Sequence, residues 1–145
     1  MENIDFLNSW SIEQRITHHL ILNAISCEDL GLLHGKMGIV IAFYQLGRKT
    51  RNKIYSAFAD DLLDRIINRL HRETDICFES GLLGIGWGLE FLIQNQFIEA
   101  NSLEICEDID SVIMEKDIRR ITNHSLEKGL LGFLHYIVIH TKGCI

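Results

Sequence analysis

Three segments that open with Gly-Leu-Leu, GLLHGKMG at 31–38, GLLGIGWG at 81–88 and GLLGFLHY at 129–136, align without a gap and recur about every 50 residues. That period means one supersecondary unit copied along the chain, and such units are stable only when neighbours stack to bury a continuous core. The likeness extends upstream. CEDLGLL, CFESGLL and SLEKGLL each place a small residue four before the glycine (Cys27, Cys77, Ser125) and an acid two before it (Asp29, Glu79, Glu127). If a helix starts just after each Gly-Leu-Leu turn, the acid lies beside its N-terminus, where the helix dipole stabilises a carboxylate by about 0.3–1 kcal/mol.

Between the turns the pattern is helical. IYSAFADDLLDRIINRLHRE sets Ile54, Phe58, Leu62, Ile66 and Leu70 four apart, with Leu63 and Ile67 widening the apolar stripe and Asp61, Asp64, Arg65 and Arg69 on other faces. SIEQRITHHLILNAI opens with a capping box from Ser11 to Gln14, and NSLEICEDIDSVIM with one from Asn101 to Glu104. The stretch after each turn, as in GWGLEFLIQNQF, is more uniformly apolar. Amphipathic helices outside and apolar helices inside satisfy both patterns. The expected fold is all-α: an α/α toroid, present as a three-repeat sector of helical hairpins rather than a full closed barrel. The repeats run over about 10–47, 53–98 and 102–142 of a single domain spanning 1–145. Glycine inside a helix costs about 0.5–1 kcal/mol, so Gly81, Gly84, Gly86 and Gly88 are expected to serve a tight turn and close helix packing.

Composition narrows the function classes. With 47% hydrophobic and 23% charged residues the chain reads as an ordinary globular protein. A net charge of -6 argues against general affinity for nucleic acid or anionic membrane, and RNK at 51–53 and RR at 119–120 read as solvated helix ends and faces. MENIDFLNSW carries two acids and no apolar run, and the apolar stretches GLLGIGWGL and GLLGFLHYIVI are too short to span a bilayer. A cytoplasmic location is expected, with neither nucleic acid nor membrane as partner. Cys27, Cys77, Cys106 and Cys144 are dispersed without a C-x-x-C pair and read as free thiols. GIGWG lacks the G-x-G-x-x-G spacing and follows no strand, so no phosphate loop is present.

Few residues offer chemistry. In the gap-free alignment His34 stands where the other repeats have Gly84 and Gly132, so the repeat asks for no large side chain there. It is the candidate catalytic group, as base, ligand or hydrogen-bond donor toward an axial cavity; the simpler reading is a hydrogen-bonding residue at a helix start. Met37, Trp87 and His135 share a position and read as packing knobs, with ligand stacking as the other role open to Trp87. Glu90 and Gln94, four apart on an apolar helix, form either a polar floor or an exposed edge, and Val40 with Tyr44 and Val138 with Lys142 occupy their places in the other repeats. Cys27, Cys77 and Ser125 read as small residues packed under equivalent loops, and His18 and His19 as solvated surface. The expected binding surface is the inner-helix end near His34, Trp87 and Glu90; no metal ligand set is assigned.

GLLHGKMGIVIAFYQLG and GLLGIGWGLEFLIQN resemble the glycine-rich repeats of the lanthionine synthetase C-like (LanC-like) proteins. SLEKGLLGFLHYIV resembles a later repeat of bacterial members encoded beside peptide-maturation genes. The resemblance covers nearly the whole chain. It implies an α/α toroid and a family whose founding members are zinc-dependent cyclases, adding cysteine thiols to dehydrated serine or threonine in a lanthipeptide precursor. Catalytic members hold zinc through the cysteine of a W-C-x-G motif and the Cys and His of a C-H-G motif, and a histidine of an H-G motif acts on the thiol or enolate. His34-Gly35 matches H-G, but Leu33 stands where C-H-G has cysteine, and Gly88 follows Trp87 where W-C-x-G has cysteine. A complete ring of the family holds more than twice this number of hairpins. The resemblance therefore implies a short or truncated member without the zinc cyclase site, binding a peptide substrate or a maturation enzyme. Zinc would be its cofactor if another chain or a missing segment completed a cyclase. A sector exposes apolar inner helices, so a homo-oligomer is expected. A carbohydrate-active toroid is the remaining alternative; it needs two carboxylates about 5–10 Å apart, for which Glu79 and Glu90 are the pair.

Overall fold

A computed structural model describes residues 9–71 and 74–144. Residues 1–8, on which the absence of a secretory signal was expected, lie outside it. The described residues are helical and contain no strand: α1 (Ile12–Ser26), α2 (Lys36–Thr50), α3 (Lys53–Arg69), α4 (Leu82–Gln94), one-turn α5 (Ser102–Ile105), α6 (Glu107–Met114), a 3-10 turn (Ile118–Arg120) and α7 (Leu130–Gly143). This is the all-α hairpin sector that the periodicity and the repeat imply. No helix of the described residues is long and apolar enough to cross a membrane.

Local chemistry sets the boundaries. Ser11 and Gln14 form the capping box at the start of α1. Between α2 and α3, Arg51 takes the left-handed conformation (φ 54°) and the Asn52 side chain accepts from the Ile54 amide at 3.0 Å, so the chain reverses in two residues. Leu62, Leu63 and Ile66 of α3 are buried as the stripe requires, while Ile54, in its first turn, is 74% exposed. The helix expected over 101–114 breaks at Cys106 into α5 and α6. Asn101 caps it through the Leu103 amide alone, with no capping box.

α2, α4 and α7 lie side by side and run parallel, with α4 in the middle and α3 packed along α2. A Cβ at Gly88 would collide with Met37 of α2, and one at Gly86 with the Tyr136 ring of α7. The glycines thus let one helix approach two neighbours at once. Leu82, Leu83, Ile85, Leu89 and Leu92 of α4 are all buried, each side chain contributing about 1.5–3 kcal/mol relative to exposure. On α7, by contrast, Leu131, Leu134 and Val138 are 47%, 46% and 52% exposed.

The loops repeat in a register different from the gap-free alignment. The amides of Lys36, Leu82 and Leu130 donate to the carbonyls of Asp29, Asp75 and Asn123 at 2.9, 2.7 and 2.9 Å. Gly35, Gly81 and Gly129 are the N-caps, all extended, with φ of -123°, -116° and -123°. A Cβ on any of them would overlap the same loop carbonyl, so it is close approach that excludes a side chain. The true repeat is Gly-x-x-Gly, at 35–38, 81–84 and 129–132; the first Gly-Leu-Leu lies one turn upstream of its apparent partners and outside α2. His34 therefore matches Ser80 and Lys128 rather than Gly84 and Gly132. Cys77 and Ser125 match Gly31 rather than Cys27, Trp87 and His135 match Ile41 rather than Met37, and Glu90 and Val138 match Tyr44 rather than Val40. The acids do not form one set either. Asp29 accepts from the Gly31 amide at 2.7 Å, whereas Glu79 pairs with Lys128 at 3.2 Å. Neighbouring loops are tied directly: Leu33 N donates to Glu79 O at 2.9 Å, and Phe78 N and Glu79 N both donate to Glu127 O.

Candidate functional site

Two features bear on the site. The first lies beside the loops: a cavity of about 660 Å³ between the second and third repeats. Asp75, Glu115 and Asp117 and the cations Lys116, Arg120 and Lys128 line it together with Ile76, Val112, Ile121 and Phe133, and Cys77 also faces it. Of these charges, Asp117, Arg120 and Lys128 are held in ion pairs. Asp117 binds Arg119 at 2.9 Å and Arg120 at 3.5 Å, and the Arg119 contact holds its carboxyl below the usual range. The Glu79 carboxylate holds the Lys128 ammonium above the usual lysine value.

The second feature is buried, in the C-terminal halves of α4 and α7. Glu90 of α4 is wholly inaccessible. Its Oε1 accepts from the Ser102 hydroxyl, lies 3.8 Å from the Cys106 thiol that donates to it, and lies 2.6 Å from His140 Nδ1. Gln94 donates to Oε2 at 3.1 Å and to the Ile139 carbonyl at 2.7 Å. The other ring nitrogen of His140 is 3.0 Å from Asp110 Oδ2, and Tyr136 donates to Asp110 Oδ1 at 2.7 Å. The Tyr136 and His140 rings stack at 5.5 Å. A protonated imidazole satisfies both carboxylates, since both nitrogens then donate. Burial pushes the Cys106 thiol up to about 12 and raises the Tyr136 phenol as well. Every buried side-chain N or O atom of the described residues has a partner, so the cluster is complete as a hydrogen-bonded network.

Ser102 and Cys106, four apart across the α5–α6 junction, both reach Glu90. Gly143 belongs to the network too, because a Cβ there would press on Glu90 Oε2. The polar pair Glu90 and Gln94 on an apolar helix was the sequence signal, since a carboxylate in such a helix needs buried partners. Cys106, Asp110, Tyr136 and His140 were not singled out. Glu90's partners lie 4 to 50 residues away along the chain and form no motif.

His34, Trp87 and Glu90 differ in exposure. His34 is exposed in the loop before α2, its carbonyl facing the Cys27 thiol at 4.0 Å. Trp87 is half-buried, stacked on Phe91 at 5.4 Å and edge-on to Phe78 at 6.3 Å. Glu90 is turned away from solvent, and none of the three lines the loop-end cavity. Glu90 is wholly buried, so Glu79 and Glu90 do not face one open cleft as a pair of glycosidase carboxylates would.

The zinc of catalytic LanC-like proteins does not fit the corresponding residues. Leu33 and Gly88 offer no donor, Cys27 faces the Asp29 and His34 carbonyls, and Cys77 sits 3.2 Å from the Ser80 hydroxyl. Among the described residues the set of three metal-capable side chains that converges is Glu90, Cys106 and His140, away from those loops.

No curated protein and no solved structure matches the chain. A family model described as lanthionine synthetase C-like protein matches residues 26–142, which takes in the three glycine-capped loops and the helices that follow them. On that match, and on the helical-hairpin sector it covers, the chain belongs to the lanthionine synthetase C-like family.

Proposed function

We propose that the chain is a peptide- or partner-binding module of peptide maturation, without cyclase chemistry at the positions where catalytic relatives hold zinc. The loop-end cavity carries this reading: its apolar floor of Ile76, Val112, Ile121 and Phe133 lies under a rim of both charges, a surface suited to an extended polypeptide with alternating side chains. Leu33 and Gly88 in place of zinc-binding cysteines support the second half. The test is binding of a labelled peptide rich in Ser, Thr and Cys to the metal-free chain. Arg120→Glu with Lys128→Glu is expected to weaken binding about tenfold, equivalent to 1.4 kcal/mol, and His34→Ala to leave it unchanged. Equal binding by the double variant and the parent would reject the cavity as the site.

Self-association belongs to the same proposal. Leu131, Leu134 and Val138 leave one side of α7 apolar and open, and a second copy is the expected cover. Sedimentation is expected to show a dimer that Leu134→Glu dissociates; a monomer at all concentrations removes this part and leaves peptide binding to its own test.

A further inference from the structure

We propose that Glu90, Cys106 and His140 form a zinc site inside the helical sector, separate from the loops that hold the metal in catalytic relatives.

The donor atoms Oε1 or Oε2, Sγ and a ring nitrogen all lie within 4.8 Å of one another. Zinc bonds of about 2.0–2.3 Å at tetrahedral angles place ligand atoms roughly 3.3–3.6 Å apart. The observed 2.6 Å from His140 Nδ1 to Glu90 Oε1 and 3.8 Å from Cys106 Sγ to the same oxygen bracket that spacing, so small side-chain movements suffice. The donor chemistry selects the ion: one thiolate, one imidazole and one carboxylate suit borderline-soft zinc and leave calcium or magnesium, which take oxygen shells, unserved.

The surroundings supply what a ligand set needs. With Nδ1 on the metal, His140 Nε2–H donates to Asp110 at 3.0 Å, the carboxylate–histidine–metal relay that fixes ring orientation and tautomer. Asp110 is itself held by the Tyr136 hydroxyl, and the uncoordinated oxygen of Glu90 by Gln94. Charge also closes. The Glu90 carboxylate and the Cys106 thiolate carry two negative charges in a site where Glu90 is 0% exposed, and a divalent cation neutralises both. On binding, zinc takes a lone pair from each donor; the thiol proton and the Nδ1 proton leave to solvent, and Nε2 keeps its own. The fourth position falls to a water, entering beside the His140 side chain, which is 14% exposed. The site joins α4, the α5–α6 junction and α7, so its role is to lock the second and third repeats together. It does not depend on the peptide-binding reading.

The experiment is a cobalt titration of the full chain after removal of metal by chelator, followed by displacement with zinc. One cobalt per chain is expected, with a thiolate-to-metal charge-transfer band and tetrahedral visible bands, both lost on adding zinc. Cys106→Ser is expected to abolish the charge-transfer band, Cys77→Ser to keep it, and Asp110→Asn to keep it with affinity about 10–100-fold weaker. A folded parent chain that takes up no cobalt with a thiolate band overturns the proposal. So does a band that survives Cys106→Ser and vanishes in Cys77→Ser or Cys27→Ser. Should Cys106→Ser not fold, X-ray absorption on the zinc form of the parent decides: one sulfur with nitrogen and oxygen upholds the site, and any other sulfur count overturns it.

Discussion

At the loop end of the inner helices, Gly35, Gly81 and Gly129 share one backbone geometry and their following amides reach back to the same loop carbonyl. In the C-terminal halves of those helices the equivalent positions hold Tyr44, Glu90 and Val138, which share nothing. Tyr44 donates to Asp60, Glu90 anchors a buried network, and Val138 is half-exposed. The loops are made by backbone hydrogen bonds and by the lack of a side chain, so copies stay alike while other residues drift. The far half is made by side chains, and each copy there has its own chemistry. Fold and site therefore occupy different parts of the repeat.

The difference can be broken by substitution. The largest effect is expected at Glu90→Ala, which removes one partner of a buried charged network and strands Ser102, Gln94 and His140. Denaturant unfolding should show a loss of about 3–5 kcal/mol, and a loss under 1 kcal/mol would mean that the network does not hold the second and third repeats together. Next come Gly35→Ala, Gly81→Ala and Gly129→Ala, where a Cβ meets backbone; each is expected to cost about 1–3 kcal/mol, with the three values alike. One value near zero would show that its loop is not an equivalent copy. Smaller effects are expected elsewhere at the Glu90 position: about 1 kcal/mol for Tyr44→Phe, which gives up the bond to Asp60, and within about 0.5 kcal/mol for Val138→Ala.

A further effect is alkaline. Burial raises the Cys106 thiol from 9.0 to about 12, so the folded chain holds that proton more tightly than the unfolded chain. Its contribution is intact below pH 9.0 and is lost as pH rises toward about 12. Stability should decline across that window and decline less in Cys106→Ser; identical slopes would mean that the thiol titrates freely. Consistently, Cys144 at the exposed terminus of α7 should react with a thiol reagent at neutral pH long before Cys106 does.

What the sequence disclosed follows the same division. Glycine spacing and apolar periodicity are local, so the helices, the Ser11–Gln14 cap and the hairpin repeat could be read directly. The register of the first repeat could not. Gly31-Leu32-Leu33 and Gly81-Leu82-Leu83 are identical in letters, yet Lys36, a cation, occupies the first helical position that Leu82 fills in the second repeat. The bond from Lys36 N to Asp29 O and the N-cap at Gly35 reveal this. The buried cluster was half legible: Glu90 was conspicuous on its apolar helix, but Ser102, Cys106 and His140 come to it from other elements, and spacing carries no trace of them.

The claim on which all this rests is that the three loops coincide at Gly35, Gly81 and Gly129. Amide hydrogen exchange resolved by residue tests it most directly. Lys36, Leu82 and Leu130 are predicted to be protected as a set through their bonds to Asp29, Asp75 and Asn123, with Leu32 exchanging freely; protection of Leu32 in place of Lys36 would contradict it.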